Sequence, residues 1–98
     1  MIVRIVRMEF QEENLDTFHK IFDESKSQIR HFPGCYHLEI LKDSTYPHIR
    51  YTYSIWENEA SLEAYRNSGL FASVWQKTKV LFSGKAQAWS MEPWERID

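Results

Sequence analysis

The sequence is poor in structural punctuation. It holds only three glycines and three prolines in 98 residues, so regular elements should dominate and low-complexity or collagen-like organisation is excluded. It holds a single cysteine, Cys35. No intrachain disulfide can form, no cysteine-based metal site exists, and a cytoplasmic location is the expectation that follows. No apolar run approaches the roughly 18–20 residues that a membrane span needs. The first eight residues carry Arg4 and Arg7 and lack the apolar core of a secretion signal, so no leader is expected. There is no excess of basic charge either. Twelve Lys and Arg are scattered among 14 Asp and Glu, for a net charge of −2. Without a basic stripe to release counterions from phosphates, nucleic acid is not an expected partner.

What the chain does have is aromatic and β-branched residues in periodic runs. Fifteen per cent of its residues are aromatic, enough apolar surface to offset the ordering entropy of one domain spanning residues 1–98. Residues 2–8 (Ile-Val-Arg-Ile-Val-Arg-Met) read as a first strand. Glu12, Glu13 and Asn14 place acids and a capping side chain before an amphipathic helix. Its apolar edge is Leu15, Phe18, Phe22, Ser25 and Ile29. Phe32-Pro33-Gly34 stops that helix. Residues 35–42 alternate as a second strand, with Tyr36, Leu38 and Ile40 on one side and Cys35, His37 and Glu39 on the other. Turn-forming residues 43–47 lead into a third strand, 48–56. Ile49, Tyr51, Tyr53 and Ile55 share one of its faces; His48, Arg50, Thr52, Ser54 and Trp56 share the other. Asn58 can cap a second helix, which Asn67-Ser68-Gly69 interrupts before a further helical piece running to about Val80. Residues 85–92 form a fourth strand that Pro93 ends.

The order β-α-β-β-α-β is the split βαβ, or ferredoxin-like, α+β motif: a four-stranded antiparallel sheet with its helices on one face. An antiparallel sheet with one wet face should be polar there. Here both faces are apolar. Strand one has Val3 and Ile5 on one side and Ile2, Val6 and Met8 on the other. So small a domain should cover the second face with a copy of itself, giving a homodimer. The tail from Trp94 to Asp98, with Trp94 and Ile97, can reach across to that partner.

The run Tyr53-Ser54-Ile55-Trp56-Glu57-Asn58-Glu59-Ala60-Ser61-Leu62-Glu63-Ala64-Tyr65, followed by Ser68 and Leu70-Phe71, resembles the signature of the antibiotic biosynthesis monooxygenase (ABM) family. Phe32-Pro33-Gly34-Cys35 resembles that family's turn into its second strand. The resemblance implies a homodimer of ferredoxin-like subunits, a dimeric α+β barrel, with a cleft between helices and sheet in each subunit. It implies several possible activities. Some members oxygenate phenolic or quinol-like rings with neither metal nor flavin. Others degrade haem, isomerise small metabolites or have no known activity. The haem-degrading branch uses an Asn, a Trp and a His where this chain has, at approximately matching positions, Arg7, Tyr65 and Trp75, which leaves no evident iron ligand.

The expectation is therefore a cofactor-independent monooxygenase for a small aromatic compound, with no cofactor and no metal. The alternatives are a non-catalytic dimer that binds an apolar metabolite, or an isomerase on the same fold. Ring ionisation needs a base or a cation that lowers the ring's pKa, inside aromatic walls. Tyr51, Tyr53, Tyr65, Phe71 and Trp75 are the expected cleft lining, although any one of these rings taken alone is more simply core. Tyr65 and His37 are the candidate catalytic groups. Glu39, on the same strand face, can orient His37, and the same pair facing a partner sheet is the simpler role. His37 with Glu39 is too small a ligand set for zinc. Arg4, Arg7 and Arg50 can stabilise an oxyanion, although strand arginines are usually surface groups. Cys35 has no local base to activate it.

Overall fold

The structure, a computed structural model, describes residues 1–98. Strand β1 spans Ile2–Glu9, where β-branched residues recur along a pleated surface. Helix α1 spans Leu15–Arg30 and buries Phe18, Ser25 and Ile29 along one edge. Glu12–Asn14 forms a 3₁₀ turn before it. The Asn14 side chain does not cap α1. It donates instead to the carbonyl of Leu81 at 3.4 Å and ties the start of α1 to the far end of the chain.

The stop after α1 requires Gly34. Its φ is +85°, and a Cβ there would lie 2.5 Å from the Ser61 side chain. Glycine is thus demanded twice, by backbone conformation and by the approach of the helix that carries Ser61. The Gly34 carbonyl accepts from the Glu57 N–H at 2.8 Å, which fixes this turn to the end of the third strand.

Strand β2 spans Cys35–Lys42 and β3 spans Ile49–Trp56. The turn between them is built on Asp43. Its carboxylate accepts from the Thr45 and Tyr46 N–H groups at 2.9 Å and from the Tyr51 hydroxyl at 2.7 Å. The three hydrogen bonds hold the Asp43 carboxyl at about 2, well below the usual range.

Helix α2 spans Glu59–Arg66, and Asn58 Oδ1 caps it by accepting from the Ser61 N–H at 2.9 Å. Helix α3 spans Gly69–Lys79 and has its own cap, Ser68 Oγ accepting from the Phe71 N–H at 3.1 Å. The second helical region is therefore two helices with separate starts, as the Asn67-Ser68-Gly69 interruption suggests. Strand β4 spans Gln87–Met91. The sheet order is β2-β3-β1-β4, antiparallel throughout, as the ferredoxin-like reading expects. No helix is long and apolar enough to cross a membrane.

Two expectations about side-chain direction fail. A register shift between Cys35 and His37 lets one residue bulge from β2. Cys35 therefore turns under the helices, beside Ile2, Trp56 and Leu62, while Tyr36 is left exposed. The second failure concerns the whole sheet. Ile2, Arg4, Val6 and Met8 pair across with Trp56, Ser54, Thr52 and Arg50, and this is the helix-covered face. Tyr51 and Tyr53 pair with Arg7 and Ile5 on the open face. The greater apolar content of the odd-numbered side of β3 pointed the wrong way. The covered side is polar in its middle because it borders a cavity rather than a filled core.

Candidate functional site

Only 13 of 98 residues are buried, too few for one continuous core. Seven of them form two apolar groups. At one end Ile2, Cys35, Trp56 and Leu62 pack with Phe32 and Tyr65. At the other Met8, Phe10 and Phe18 pack with Phe22, Leu81 and Phe82. A cavity of about 350 Å³ lies on the helix-covered face and is bordered by residues of both groups. That is within the roughly 300–1,000 Å³ of small-molecule pockets.

Residue size explains why the space exists. Its sheet floor includes Thr52 and Ser54 from β3, Arg4 and Val6 from β1 and Leu38 from β2, with Ala86 and Ala88 on the far side of β1. Large rings stand at the margins. Trp56 stacks on Tyr65 with centroids 5.0 Å apart and an angle of 24°. Tyr65 meets the edge of Phe71 at 5.3 Å, and Phe71 stacks on Trp75 at 5.9 Å. Trp75 then contacts Phe82 at 5.6 Å. One wall is thus an unbroken row of rings carried on β3, α2 and α3, suited to a flat apolar ligand.

Few groups on the lining can ionise. Tyr65 is held in its neutral form, with its pKa pushed up to about 12 by burial and secondarily by Cys35. It is a hydrogen-bond donor at neutral pH and cannot act as a base there. Arg4 and Arg66 are the two cations. Burial lowers the pKa of Arg4, as does the like charge of Arg66, while Glu63 opposes them. Arg4 remains a cation nevertheless. Its Nη1 donates to Ser90 Oγ at 2.9 Å. Arg66 is paired with Glu63 at 2.8 Å. The floor hydroxyl of Ser54 already accepts from Trp56 Nε1 at 2.9 Å.

Of the residues expected at the cleft, Tyr65, Phe71 and Trp75 line the cavity. Tyr51 and Tyr53 do not, because the register of β1 with β3 turns them to the open face. Tyr51 instead anchors the hairpin through Asp43. His37 does pair with Glu39, at 2.8 Å. Both lie on the open face, where His37 meets the Tyr53 ring edge at 5.2 Å. A proton on a ring in the cavity is out of its reach. Arg7 also faces outward, opposite Tyr51 and Gln87. Arg50 faces inward but is occupied, donating to the Pro47 carbonyl at 2.8 Å and to His19 Nε2 at 3.3 Å. Cys35 is buried and its thiol pKa is raised chiefly by that burial, so it stays neutral. No group of three or more His, Cys, Asp or Glu side chains is placed to hold a metal ion. Sequence reasoning named Arg4 as a possible oxyanion stabiliser without placing it in the cleft, and it did not place Arg66 or Trp56 there either. The parity of Arg4 with Ile2 and Met8 was the available signal.

The ABM family model matches residues 1–77, which include every wall element except β4. The chain belongs to the antibiotic biosynthesis monooxygenase family. Solved ABM-like structures share its fold closely. One crystal structure of an antibiotic biosynthesis monooxygenase superposes with a TM-score of 0.90 at 16% identity, covering 97% of this chain and 100% of that one. A conserved protein from Methanosarcina mazei gives 0.87 at 15% identity, covering 93% and 91%. A protein from Caulobacter crescentus, provisionally assigned to the same ABM class, gives 0.89 at 14% identity, covering 96% and 90%. At such identities the likeness carries the fold alone. No curated protein matches this ABM chain in sequence.

The Tyr65 environment has a measurable consequence. A free tyrosine ionises near ~10, so burial of neutral Tyr65 adds stability that is complete below that pH. This contribution is lost as pH rises from about 10 through about 12. In an ultraviolet phenolate titration, wild type minus Tyr65→Phe should show one ring ionising near the upper value. A difference signal centred near pH 10 would contradict this placement.

Proposed function

We propose that the chain is a cofactor-independent monooxygenase for a small aromatic compound of the phenol or quinol class. The observation that carries this reading is the ring-walled cavity, in which the only ionisable groups are a neutral phenol and two guanidiniums. Such a site favours an electron-rich ring in its anionic form. The positive potential at the Arg4 and Arg66 end lowers the ring's pKa, and the Tyr65 hydroxyl can donate to a ring oxygen. The scarcity of water in apolar walls strengthens both effects. No base lines the cavity, so the proton passes to solvent. The ring anion then gives an electron to dioxygen, and the radical pair recombines before either can diffuse away. One oxygen atom enters the ring and the other leaves as water, with all electrons supplied by the ring.

The rival reading is a binder that uses the same cavity without turnover. Oxygen-electrode assays with a panel of anthrones and quinols separate the two. Substrate-dependent uptake is expected, reduced at least about tenfold in Tyr65→Phe by loss of one donor and unchanged in His37→Ala. Ligand-induced thermal stabilisation with no uptake across the panel would contradict the enzyme reading.

We further infer a homodimer in which the open sheet faces pack together. Val3, Ile5, Tyr53 and Ile55 form an apolar patch there. Next to it Trp89 and Met91 are 45% and 48% exposed, and Trp94 in the tail is 100% exposed. That surface is large for a free monomer of this size. Sedimentation at micromolar concentration should give twice the chain mass, and a stable monomer would contradict this assembly.

A further inference from the structure

Arg4 is unusual among the arginines of this chain. It rises from the central strand β1 on the helix-covered face, between Ser54 on β3 and Ser90 on β4. Its hydrogen bond is to a neutral hydroxyl, Ser90 Oγ, and it forms no ion pair. Arg7 has Glu9 at 3.5 Å and Arg66 has Glu63 at 2.8 Å. Arg50 is enclosed by carbonyl oxygens and His19. Arg4 therefore presents a partly desolvated guanidinium, with donors to spare, to a cavity whose lining is mainly apolar. The nearest acid that acts on it, Glu63, is already engaged by Arg66. Two cations against one carboxylate leave this end of the cavity with an uncompensated positive charge.

A guanidinium in such a place gains most from a ligand group that is already ionised at neutral pH, planar, and able to accept two parallel N–H bonds. A carboxylate meets all three conditions. A phenol first has to lose a proton, and a neutral carbonyl offers no charge. The opposite end of the space, bounded by Val6, Leu38, Phe71 and Trp75, carries no charged group; the polar side chains elsewhere on the lining, Thr52, Thr78 and Gln87, are neutral. We infer that the cavity selects aromatic ligands, phenols included, that carry a carboxylate, with the ligand's carboxylate on Arg4 and its ring along the wall formed by Tyr65, Phe71 and Trp75. Arg4 is then the residue that selects and orients the ligand, and Arg66 adds a weaker attraction because Glu63 offsets its charge.

This inference rests on reading the cavity as the ligand site, not on oxygen chemistry. Its test is a binding measurement on the full chain, made by calorimetry with two probes of the same ring: 2-naphthoate and neutral 2-naphthylmethanol. The carboxylate should bind at least about tenfold more tightly, the scale of a hydrogen bond to a charged group. In Arg4→Met and Arg4→Gln that preference should fall to within about twofold, while the affinity for the alcohol stays close to wild type. The second variant keeps a polar group for Ser90 in case the first folds poorly. The wild-type comparison alone already decides the sign of the preference. Equal affinity for the two probes, a preference that survives both variants, or binding of neither at millimolar concentration would overturn the assignment. Arg4-dependent binding of 2-naphthoate, together with no oxygen uptake from any ring tested, would defeat the oxygenase reading and leave this one standing.

Discussion

The structure depends on a mismatch of side-chain sizes across one face of a sheet. Where Trp56, Tyr65 and Phe32 meet at one end and Phe10, Phe18 and Phe82 at the other, the helices are propped away from the strands. Between these pillars the floor includes the small residues Thr52, Ser54, Ala86 and Ala88, beside Arg4 and Val6 of β1 and Leu38 of β2. Close packing is the default of protein interiors, and a void forfeits dispersion contacts along its lining. A chain that builds large rings at the margins and small residues in the middle keeps space open at the expense of stability. The separately capped α2 and α3 serve that geometry. The break at Asn67 and Ser68 lets Tyr65 stack on Trp56 while Phe71 and Trp75 continue the wall in a new direction.

The chemistry of the site follows from the same constraint. Rings and methyl groups exclude water, so the few polar groups present act at short range in a medium of low polarity. Burial keeps Tyr65 and Cys35 protonated and leaves Arg4 and Arg66 as the charges. The cavity thus discriminates by shape along one wall and by charge at one end. The open face of the sheet is different in kind. It has exposed apolar area in Trp89 and Met91, which suits a partner sheet surface.

The fold was legible in the sequence because it is written in periodicity and punctuation. The β-branched run of β1, the Phe32-Pro33-Gly34 stop, the Asn58 cap, the Asn67-Ser68-Gly69 interruption and the alternation in β3 each act locally. The side-chain directions were harder to read, for two physical reasons. A single bulged residue in β2 moves Cys35 to the face opposite the one simple alternation assigns. In β3, apolar content is a guide to burial only when the buried side is filled. Thr52 and Ser54 were read on the face opposite Tyr51 and Tyr53, which were expected to line the cleft, yet Thr52 and Ser54 face the cavity and Tyr51 and Tyr53 lie on the open face. Tyr65, Phe71 and Trp75 do line the cavity, because helical spacing places them on one side of α2 and α3 whatever the register of the sheet. The pairing of His37 with Glu39 was also foreseen, along with its placement away from the cleft as the simpler alternative.

The central claim is that the space beneath the helices is a preserved cavity and not a loosely packed core. Thr52→Phe tests it directly, since the new ring would project from the floor into the void and phenylalanine suits a strand at least as well as threonine. If the cavity is real, thermal unfolding of this variant should occur at the wild-type temperature or above it. Overpacking a filled core costs typically about 1–3 kcal/mol, and a fall in melting temperature of about 4 °C or more, the equivalent of at least about 1 kcal/mol in a domain of this size, would contradict a preserved cavity.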